Sequence, residues 1–352
     1  YADVSDNREV KSMGVMSRET AGALIEAAFA AADEHGTVSF AFQGGEPTVA
    51  GLDFFRDFVA MVSAFRPLDR QVSYALQTNG MALNEEWTHF LKENQFLVGL
   101  SVDGYRELHD HYRVDTKGEG TYGRVAKALA LLQKFEVETN LLCVVTGQCA
   151  KHPQKTYASM KKLGVRYLQF IPCLDPLEEQ RGRAVYSLTP KLYGDFLCGL
   201  FDQWYRDWAE GHYTSVRLFD DYVHLAMGEP ASTCAASGGC GSYFVVEADG
   251  GVYPCDFYVL DRWRMGDVHT DSLKQLANDE TASEFLRQGR LRPSRCASCR
   301  WVPLCNGGCR RDWTGGADDT ENYYCESFRR FFEYAADRIG EIAWQERRSR
   351  MR

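Results

Sequence analysis

The 352-residue sequence contains no apolar run that approaches the ~20 residues needed for a membrane-spanning helix. Its composition, 45% hydrophobic and 25% charged, is that of a globular protein with enough apolar material for one large or two ordinary domains. The composition therefore gives no reason to expect a membrane partner.

An excess of basic charge is also missing. The formal net charge is −9, whereas a surface that binds nucleic acid must present a basic face to neutralise phosphates. The basic tail "RRSRMR" is typical of a solvated helix end. We therefore expect no nucleic-acid partner.

The sequence does not open with the charged and apolar segments typical of a secretory leader, and it contains 12 cysteines. Thiols in a protein without a leader are expected to stay reduced in the cytoplasm, where clustered cysteines usually bind metal. The cysteines therefore predict a cytoplasmic metalloprotein rather than a disulfide framework.

Residues 17–171 alternate between helical and strand patterns. Five short β-runs are separated by amphipathic helices, which predicts parallel βαβ units in either a doubly wound sheet or a barrel. The first helix, at residues 17–34, has no strand before it, so we expect a sixth strand upstream. The β-runs are "TVSFAF", "QVSYAL", "FLVGLSV", "TNLLCVV" and "RYLQFI".

Polar and glycine-containing loops follow these β-runs. They are "QGGEP", "QTNG", the "DG" of "SVDG" and "PCLDP". Ligands bind at the carboxyl ends of parallel strands, where such loops converge. The loops therefore predict one shared site.

The pattern changes after about residue 176. Two helical stretches, at 191–211 and 216–228, lead into a segment rich in cysteine and glycine, and a last helix closes the chain. We expect a first domain at residues 1–230 and a second at residues 231–352.

Eight cysteines lie in this second unit, and eight is two sets of four, the number that a tetrahedral zinc ion or a [4Fe–4S] cluster requires. The spacing is CX9GX4C, with Gly250 in a predicted hairpin turn, followed by CX2CX5CX3C and a late single cysteine. Spacing alone leaves zinc and iron open. The eight are Cys234, Cys240, Cys255, Cys296, Cys299, Cys305, Cys309 and Cys325.

The other four cysteines have no ligand spacing. We expect Cys143, in a strand, and Cys198, in a helix, to pack as small apolar side chains. Cys149 and Cys173 lie in loops, and we expect no role for them.

These motifs resemble a known family. The cysteine pattern is similar to the SPASM auxiliary-cluster domain of peptide-modifying radical S-adenosylmethionine enzymes. "SFAFQGGEPTVAGLDFF", "LQTNG", "QFIPCLDP", "VYPCDFYVL" and "CNGGCRRD" resemble the anaerobic sulfatase-maturating enzymes almost end to end. The resemblance implies an α/β fold, a partial (β/α)6 barrel that here lacks its first strand, followed by a SPASM domain with a β-hairpin and helices.

The sequence departs from that family at one point. The CX3CX2C motif, which binds the cluster that cleaves S-adenosylmethionine, occurs nowhere in the 352 residues. In the family it lies directly before the segment that begins at Tyr1. We therefore expect the sequence to begin inside the enzyme, to be inactive as given, and to belong to a chain that carries a third [4Fe–4S] cluster.

The resemblance assigns the eight cysteines to two auxiliary [4Fe–4S] clusters. Cys309 then belongs with cysteines distant in sequence rather than with its neighbours. The first set is Cys234, Cys240, Cys255 and Cys309, and the second set is Cys296, Cys299, Cys305 and Cys325.

The resemblance also assigns the other site residues. Asp256 is the candidate general base, and Gln43 and Tyr1 are candidates for holding the substrate. The expected contacts to S-adenosylmethionine are Gly44, Gly45, Glu46, Ser101, Arg113 and Leu174.

The implied activity is radical oxidation of a Cys or Ser in a sulfatase Cys/Ser-X-Pro-X-Arg segment to Cα-formylglycine. The expected partners are the sulfatase polypeptide and an electron donor such as flavodoxin or ferredoxin. Two alternatives stay open: another SPASM enzyme that forms a thioether or crosslink in a peptide, or a non-enzymatic iron–sulfur or zinc module.

Overall fold

The computed structural model describes residues 4–177, 179–241, 243–315 and 320–351. Its central element is a parallel sheet of six strands that pair in chain order. The strands are β1 Thr37–Phe42, β2 Gln71–Thr78, β3 Phe96–Ser101, β4 Thr139–Val145, β5 Tyr167–Pro172 and β6 Ser215–Val216.

Within the described ranges, eight helices precede or connect these strands or follow the last one. Several begin at side-chain caps that accept otherwise unpaired backbone N–H groups, for example Ser17, Asn84 and Thr189. The helices are α1 Arg18–Ala31, α2 Leu52–Phe65, α3 Glu85–Glu93, α4 Arg106–Tyr112, α5 Tyr122–Lys134, α6 Pro153–Lys161, α7 Pro190–Ala209 and α8 Arg217–Ala226.

The structure confirms the five predicted strands and the parallel α/β class. It also contains a sixth strand that the sequence pattern misses, because residue 216 was predicted to be helical. Ser215 and Val216 instead pair with Tyr167 and Leu168 of β5. Two residues are too few to show a strand period, so only tertiary pairing reveals this strand.

One face of the sheet packs on helices and the other is more open. In β1, Val38 and Phe40 are buried, whereas the intervening Ser39 is exposed and bonds Ser73 of β2 through its hydroxyl. This alternation follows from the two-residue period of a strand.

The second unit is built from short elements. A three-stranded antiparallel sheet packs against α1 through Val252 and Val268. Its first two strands form the predicted hairpin, with Gly250 in the left-handed conformation (φ 93°) that the turn requires. The three strands are β7 Val245–Val246, β8 Gly251–Tyr253 and β9 Gly266–Asp267, and a separate antiparallel pair is formed by β10 Trp313–Thr314 and β11 Glu321–Asn322.

The helices of this unit are short apart from the last. The last helix packs against α7 and α8, so its buried Phe331 and Ala335 join the main core around the parallel sheet. In the described ranges, no helix is both long and apolar enough to cross a membrane. The helices are α9 Cys234–Ser237, α10 Leu273–Leu276, α11 Glu280–Arg290, α12 Val302–Cys305 and α13 Cys325–Arg350.

Candidate active site and its two thiol sets

Four thiols of the second unit line one cavity. Its volume is about 390 Å³, and its lining includes Cys296, Cys299, Cys305 and Cys325. Burial, together with the nearby thiols of Cys296, Cys299 and Cys325, raises the pKa of Cys305 to about 12. The second predicted set is therefore brought together around a single space.

The other four thiols form a separate group. Burial raises the pKa of Cys309 well above its usual value, and the nearby Cys234 and Cys255 contribute to that rise. Burial also raises the pKa of Cys240, and Cys234 adds to it. Cys309 thus faces the thiols of the first predicted set, although Cys305 is only four positions away in sequence.

A glycine makes room for one of these thiols. A Cβ at Gly289, inside α11, would lie 2.4 Å from Cys240 Sγ, far closer than atoms can approach. Sequence reasoning missed this residue. The available signal was a glycine within an amphipathic helix, where glycine costs stability relative to alanine and a packing contact is one reason for it.

The two groups match the donor set of iron–sulfur clusters. Each offers four thiols, and a [4Fe–4S] cluster takes four thiolate ligands. Within the described residues, no three His, Cys, Asp or Glu side chains are grouped closely enough to hold a single metal ion. All 12 cysteines are free thiols.

A fixed positive charge lies beside the first set. The Arg310 guanidinium sits over the rings of Tyr258, Trp263 and Phe285, at 4.7 to 5.2 Å from their centroids. Its charge opposes the effect of burial on the pKa of Cys240. The aromatic rings therefore hold a cation where a dianionic cluster would be ligated.

Asp256 directly follows a thiol of the first set. It is half-buried, and the hydroxyl of Tyr243 donates a hydrogen bond to its Oδ1 at 2.7 Å. The same hydroxyl lies 3.4 Å from Cys255 Sγ. Tyr243 is a second residue that sequence reasoning missed, because 13 positions separate it from its partner.

Glu46 joins two loops at the carboxyl edge of the parallel sheet. Its Oε1 accepts hydrogen bonds from the Thr48 amide, the Thr48 hydroxyl and the Thr78 hydroxyl, and its Oε2 accepts one from the Asn79 amide. The carboxylate therefore fixes the loop after β1 to the end of β2, whatever else it contacts.

The residues just before Glu46 are open to solvent. Gln43, Gly44 and Gly45 are exposed, and a Cβ at either glycine would meet no atom within 4 Å. Gly44 has φ 121°, which strongly favours glycine. This leaves space for a ligand against the backbone.

Two further predicted contacts lie at the same edge. Ser101 is buried at the end of β3, and Leu174 is half-buried two residues after β5. Tyr1 lies outside the described residues.

Arg113 forms a two-point ion pair with a carboxylate that sequence reasoning did not select. Its Nε and Nη2 donate to Oδ2 and Oδ1 of Asp103 at 2.6 and 3.3 Å. Asp103, 1% exposed, also accepts the Val144 amide of β4. The pair holds the guanidinium against the sheet edge.

A buried histidine organises this pair. The Asp103 amide donates to Nδ1 of His109, so Nε2 carries the proton and donates to Thr121 Oγ1, which in turn donates to the Arg113 carbonyl. Burial lowers the pKa of His109 to about 4, which keeps the ring neutral. The "DG" in "SVDG" was the signal for Asp103, but nothing local indicated His109.

The sheet edge and the thiol sets are physically connected. Arg311, two residues after Cys309, donates to the Asp175 carbonyl in the loop after β5 at 2.7 Å. Arg181 of the same loop pairs with the buried Asp312 at 3.0 Å. The two candidate sites thus share one framework.

Comparison with known proteins agrees with this geometry. The radical SAM superfamily model matches residues 9–160, and the model of an iron-sulfur cluster-binding domain, SPASM, matches residues 238–300. Over 345 residues the chain is 44% identical to a cysteine-type anaerobic sulfatase-maturating enzyme of Clostridium perfringens, covering 97% of this chain and 93% of the relative. The chain belongs to the anaerobic sulfatase-maturating enzymes.

Other members of this family are similar over the same length. A cysteine-type anaerobic sulfatase-maturating enzyme of Clostridium novyi is 41% identical over 347 residues, 97% of this chain and 92% of the relative. A solved structure of native anSMEcpe with bound AdoMet and the Cp18Cys peptide has a TM-score of 0.92 at 43% identity, covering 95% of this chain and 93% of that one.

In this member of the anaerobic sulfatase-maturating enzymes, the four remaining cysteines lie in the part of the chain that forms the parallel sheet and α7. Cys143, Cys149 and Cys173 are buried around the sheet, and Cys198 is half-buried on α7. Burial of Cys143 fits its predicted packing role.

Proposed function

We propose that the enzyme oxidises a Cys, or a Ser, in a sulfatase Cys/Ser-X-Pro-X-Arg segment to Cα-formylglycine. The observation that carries this proposal is the 0.92 TM-score to a family structure holding both AdoMet and a cysteine peptide. Because the relatives at 41% and 44% identity are cysteine-type enzymes, we propose cysteine as the preferred target.

The two thiol sets are proposed to hold two auxiliary [4Fe–4S] clusters. Cys234, Cys240, Cys255 and Cys309 form one ligand set, and Cys296, Cys299, Cys305 and Cys325 form the other. S-adenosylmethionine and the clusters, when bound, supply the radical and electron-transfer chemistry, while the protein binds and orients the substrate.

The carboxyl edge of the sheet is proposed to bind S-adenosylmethionine. The open backbone at Gly44 and Gly45 would accept its amino group, with Glu46 shaping that loop. Ser101 and Arg113 would hold the carboxylate and ribose, since a guanidinium suits a carboxylate. Leu174 would line the adenosine pocket.

Asp256 is proposed to accept the proton of the substrate thiol. Its carboxylate lies beside Cys255, within reach of a substrate oxidised next to the first cluster, and Tyr243 fixes its orientation. Gln43, exposed at the end of β1, and Tyr1 are proposed to hold the peptide.

We further propose that residues 1–352 do not suffice for catalysis. No CX3CX2C motif occurs among them, so a third [4Fe–4S] cluster would be ligated by residues outside this sequence. The proposed division is a catalytic domain at 1–230 and a cluster domain at 231–352. The free thiols suit the cytoplasm.

The test uses full-length enzyme carrying CX3CX2C, reconstituted with iron and sulfide and reduced with dithionite. A Cys-X-Pro-X-Arg peptide should gain a formylglycine, detected by mass spectrometry and by aldehyde capture with a hydrazide. A peptide with alanine in place of the cysteine is the control. A thioether crosslink without aldehyde would support the alternative enzyme class and overturn this proposal.

A further inference from the structure

One stretch of the second unit is strongly basic, although the chain as a whole is acidic. Residues 285–311 contain seven arginines and no Asp, Glu or Lys, in a sequence whose net charge is −9. The same stretch contains all three closely spaced thiols of the second set. This local excess of positive charge calls for an explanation beyond solubility.

The arginines of this stretch divide into two groups by their burial. Arg310 and Arg311 are buried or half-buried and lie next to the first set. The other five are exposed: Arg287, Arg290, Arg292, Arg295 and Arg300. Charge compensation of the first cluster thus accounts for the inner pair but not for the outer five.

Three of the exposed arginines have no carboxylate partner in the described residues. Arg287 is paired with Glu284, and Arg295 with Glu321 and Glu326. By contrast, Arg290 ends α11, Arg292 donates to the Asn306 side chain, and Arg300 lies over the Trp301 ring at 4.5 Å. We call Arg290, Arg292 and Arg300 the arginine face.

Two residues of the arginine face, Arg292 and Arg300, lie beside the second thiol set. Arg300 lines the cavity that holds the four thiols, and Arg292 lies against Gly307, another lining residue. Leu291, between two members of the face, is 55% exposed. A polar, positively charged rim around an exposed apolar residue is the composition of a transient protein interface.

We propose that the arginine face docks an acidic one-electron carrier protein at the second thiol set. The inference rests on the proposed function, in which the substrate thiol loses two electrons and two protons. The 5′-deoxyadenosyl radical takes one hydrogen atom from the β-carbon, and Asp256 takes the proton of the thiol. One electron is left. A cluster held by the second thiol set would pass that electron to the oxidised carrier, with no bond made or broken.

The charge at the contact surface, rather than the net charge of the chain, determines whether an acidic protein can dock there. The chain as a whole repels an acidic protein, but charges farther away than about 8 Å are largely screened at physiological ionic strength. The exposed cations of the arginine face, which have no carboxylate partner among the described residues, therefore dominate the encounter at short range. Complementary rim charges mainly raise the association rate and its dependence on salt.

The test measures binding of oxidised flavodoxin, an acidic one-electron carrier, to reconstituted full-length enzyme at low ionic strength. The variant reverses the arginine face: Arg290→Glu, Arg292→Glu and Arg300→Glu. The control, Arg66→Glu, Lys127→Glu and Arg166→Glu, reverses three exposed cations outside residues 285–311 and changes net charge equally. Iron and sulfide content verifies that each variant keeps its clusters.

The face variant should weaken flavodoxin binding about tenfold or more and flatten its salt dependence, while the control should change affinity less than about twofold. Stopped-flow oxidation of photoreduced enzyme by flavodoxin should slow in parallel. Equal weakening by both variants, or by neither, overturns the docking proposal. Formylglycine yield with dithionite reports on the proposed function separately, because that reductant needs no docking surface.

Discussion

The hydroxyl of Tyr243 donates a 2.7 Å hydrogen bond to Oδ1 of Asp256, next to a thiol of the first set. Because a fixed donor restricts the carboxylate to one orientation, the pair predicts that proton removal from the substrate depends on both residues. Asp256→Asn should leave cleavage of S-adenosylmethionine intact and reduce formylglycine formation by roughly 10²-fold or more.

Tyr243→Phe should have a milder effect of the same kind. We expect the ratio of formylglycine to 5′-deoxyadenosine to fall about tenfold, the loss of one charged hydrogen bond. Tyr334→Phe is the matched control. Tyr334 lies on α13, and its hydroxyl also donates to a carboxylate, that of Asp202, which is far from Asp256 in sequence. An unchanged ratio in Tyr243→Phe would show that Tyr243 has no part in orienting Asp256 for proton removal.

Gly289 tests the composition of the first set. In Gly289→Ala the new Cβ meets Cys240 Sγ, so that thiol must move away from its group. Iron analysis should show loss of about one cluster, with the second set retained. Gly22→Ala, in α1, adds the same methyl group where no atom lies within 4 Å and should keep full iron content.

Glu46 tests the proposed S-adenosylmethionine site. Glu46→Gln replaces one acceptor oxygen with an NH2 group that faces donors, so the loop after β1 should lose about 1 to 3 kcal/mol of support. The dissociation constant of S-adenosylmethionine should rise at least about fivefold in equilibrium dialysis. Wild-type affinity in this variant would show that the loop needs no such clamp.

His109 predicts a pH dependence of stability. Its pKa is about 4 in the folded protein and about 6.5 in an unfolded chain, so the unfolded state binds more protons between these values. Stability should therefore fall on acidification from about pH 6.5 to 4, by up to about 1.4 kcal/mol per pH unit. Above this window the contribution is complete.

The groups that act on His109 are Asp103 and Asp110, which raise its pKa, and Arg113, which lowers it together with burial. His109→Gln keeps one acceptor and one donor without titrating. The urea midpoint of this variant should fall less steeply on acidification across this pH range than the midpoint of the wild type. Parallel profiles for the two proteins would contradict the assignment of a buried neutral ring.

Much of this architecture follows from sequence alone. The β1 to β5 strands and the connecting helices have clear periods, because each buries one face against the core. The short α4 and the two-residue β6 carry too few residues to show a period. They depend on tertiary contacts, such as the pairing of Ser215 with Tyr167.

Site residues could be predicted where their spacing in the sequence is typical of a ligand set. They could not be predicted where their hydrogen-bond partners are distant in sequence. The eight cysteines predicted two sets of four, and the family resemblance, rather than the spacing, assigned each cysteine to its set. In the structure, the four thiols of the second set line one cavity, and Cys309 lies near thiols of the first set. Tyr243, Asp103 and His109 act through hydrogen bonds that only the folded chain creates. Gly289 is defined by a neighbour, Cys240, that lies 49 positions away.

We propose that the enzyme removes a β-hydrogen from a sulfatase cysteine and forms an aldehyde. The most direct measurement follows a Cys-X-Pro-X-Arg peptide deuterated at the cysteine β-carbon, treated with full-length enzyme and analysed by mass spectrometry. We predict monodeuterated 5′-deoxyadenosine together with a formylglycine that keeps one deuterium. Undeuterated 5′-deoxyadenosine beside an unmodified cysteine would contradict the claim.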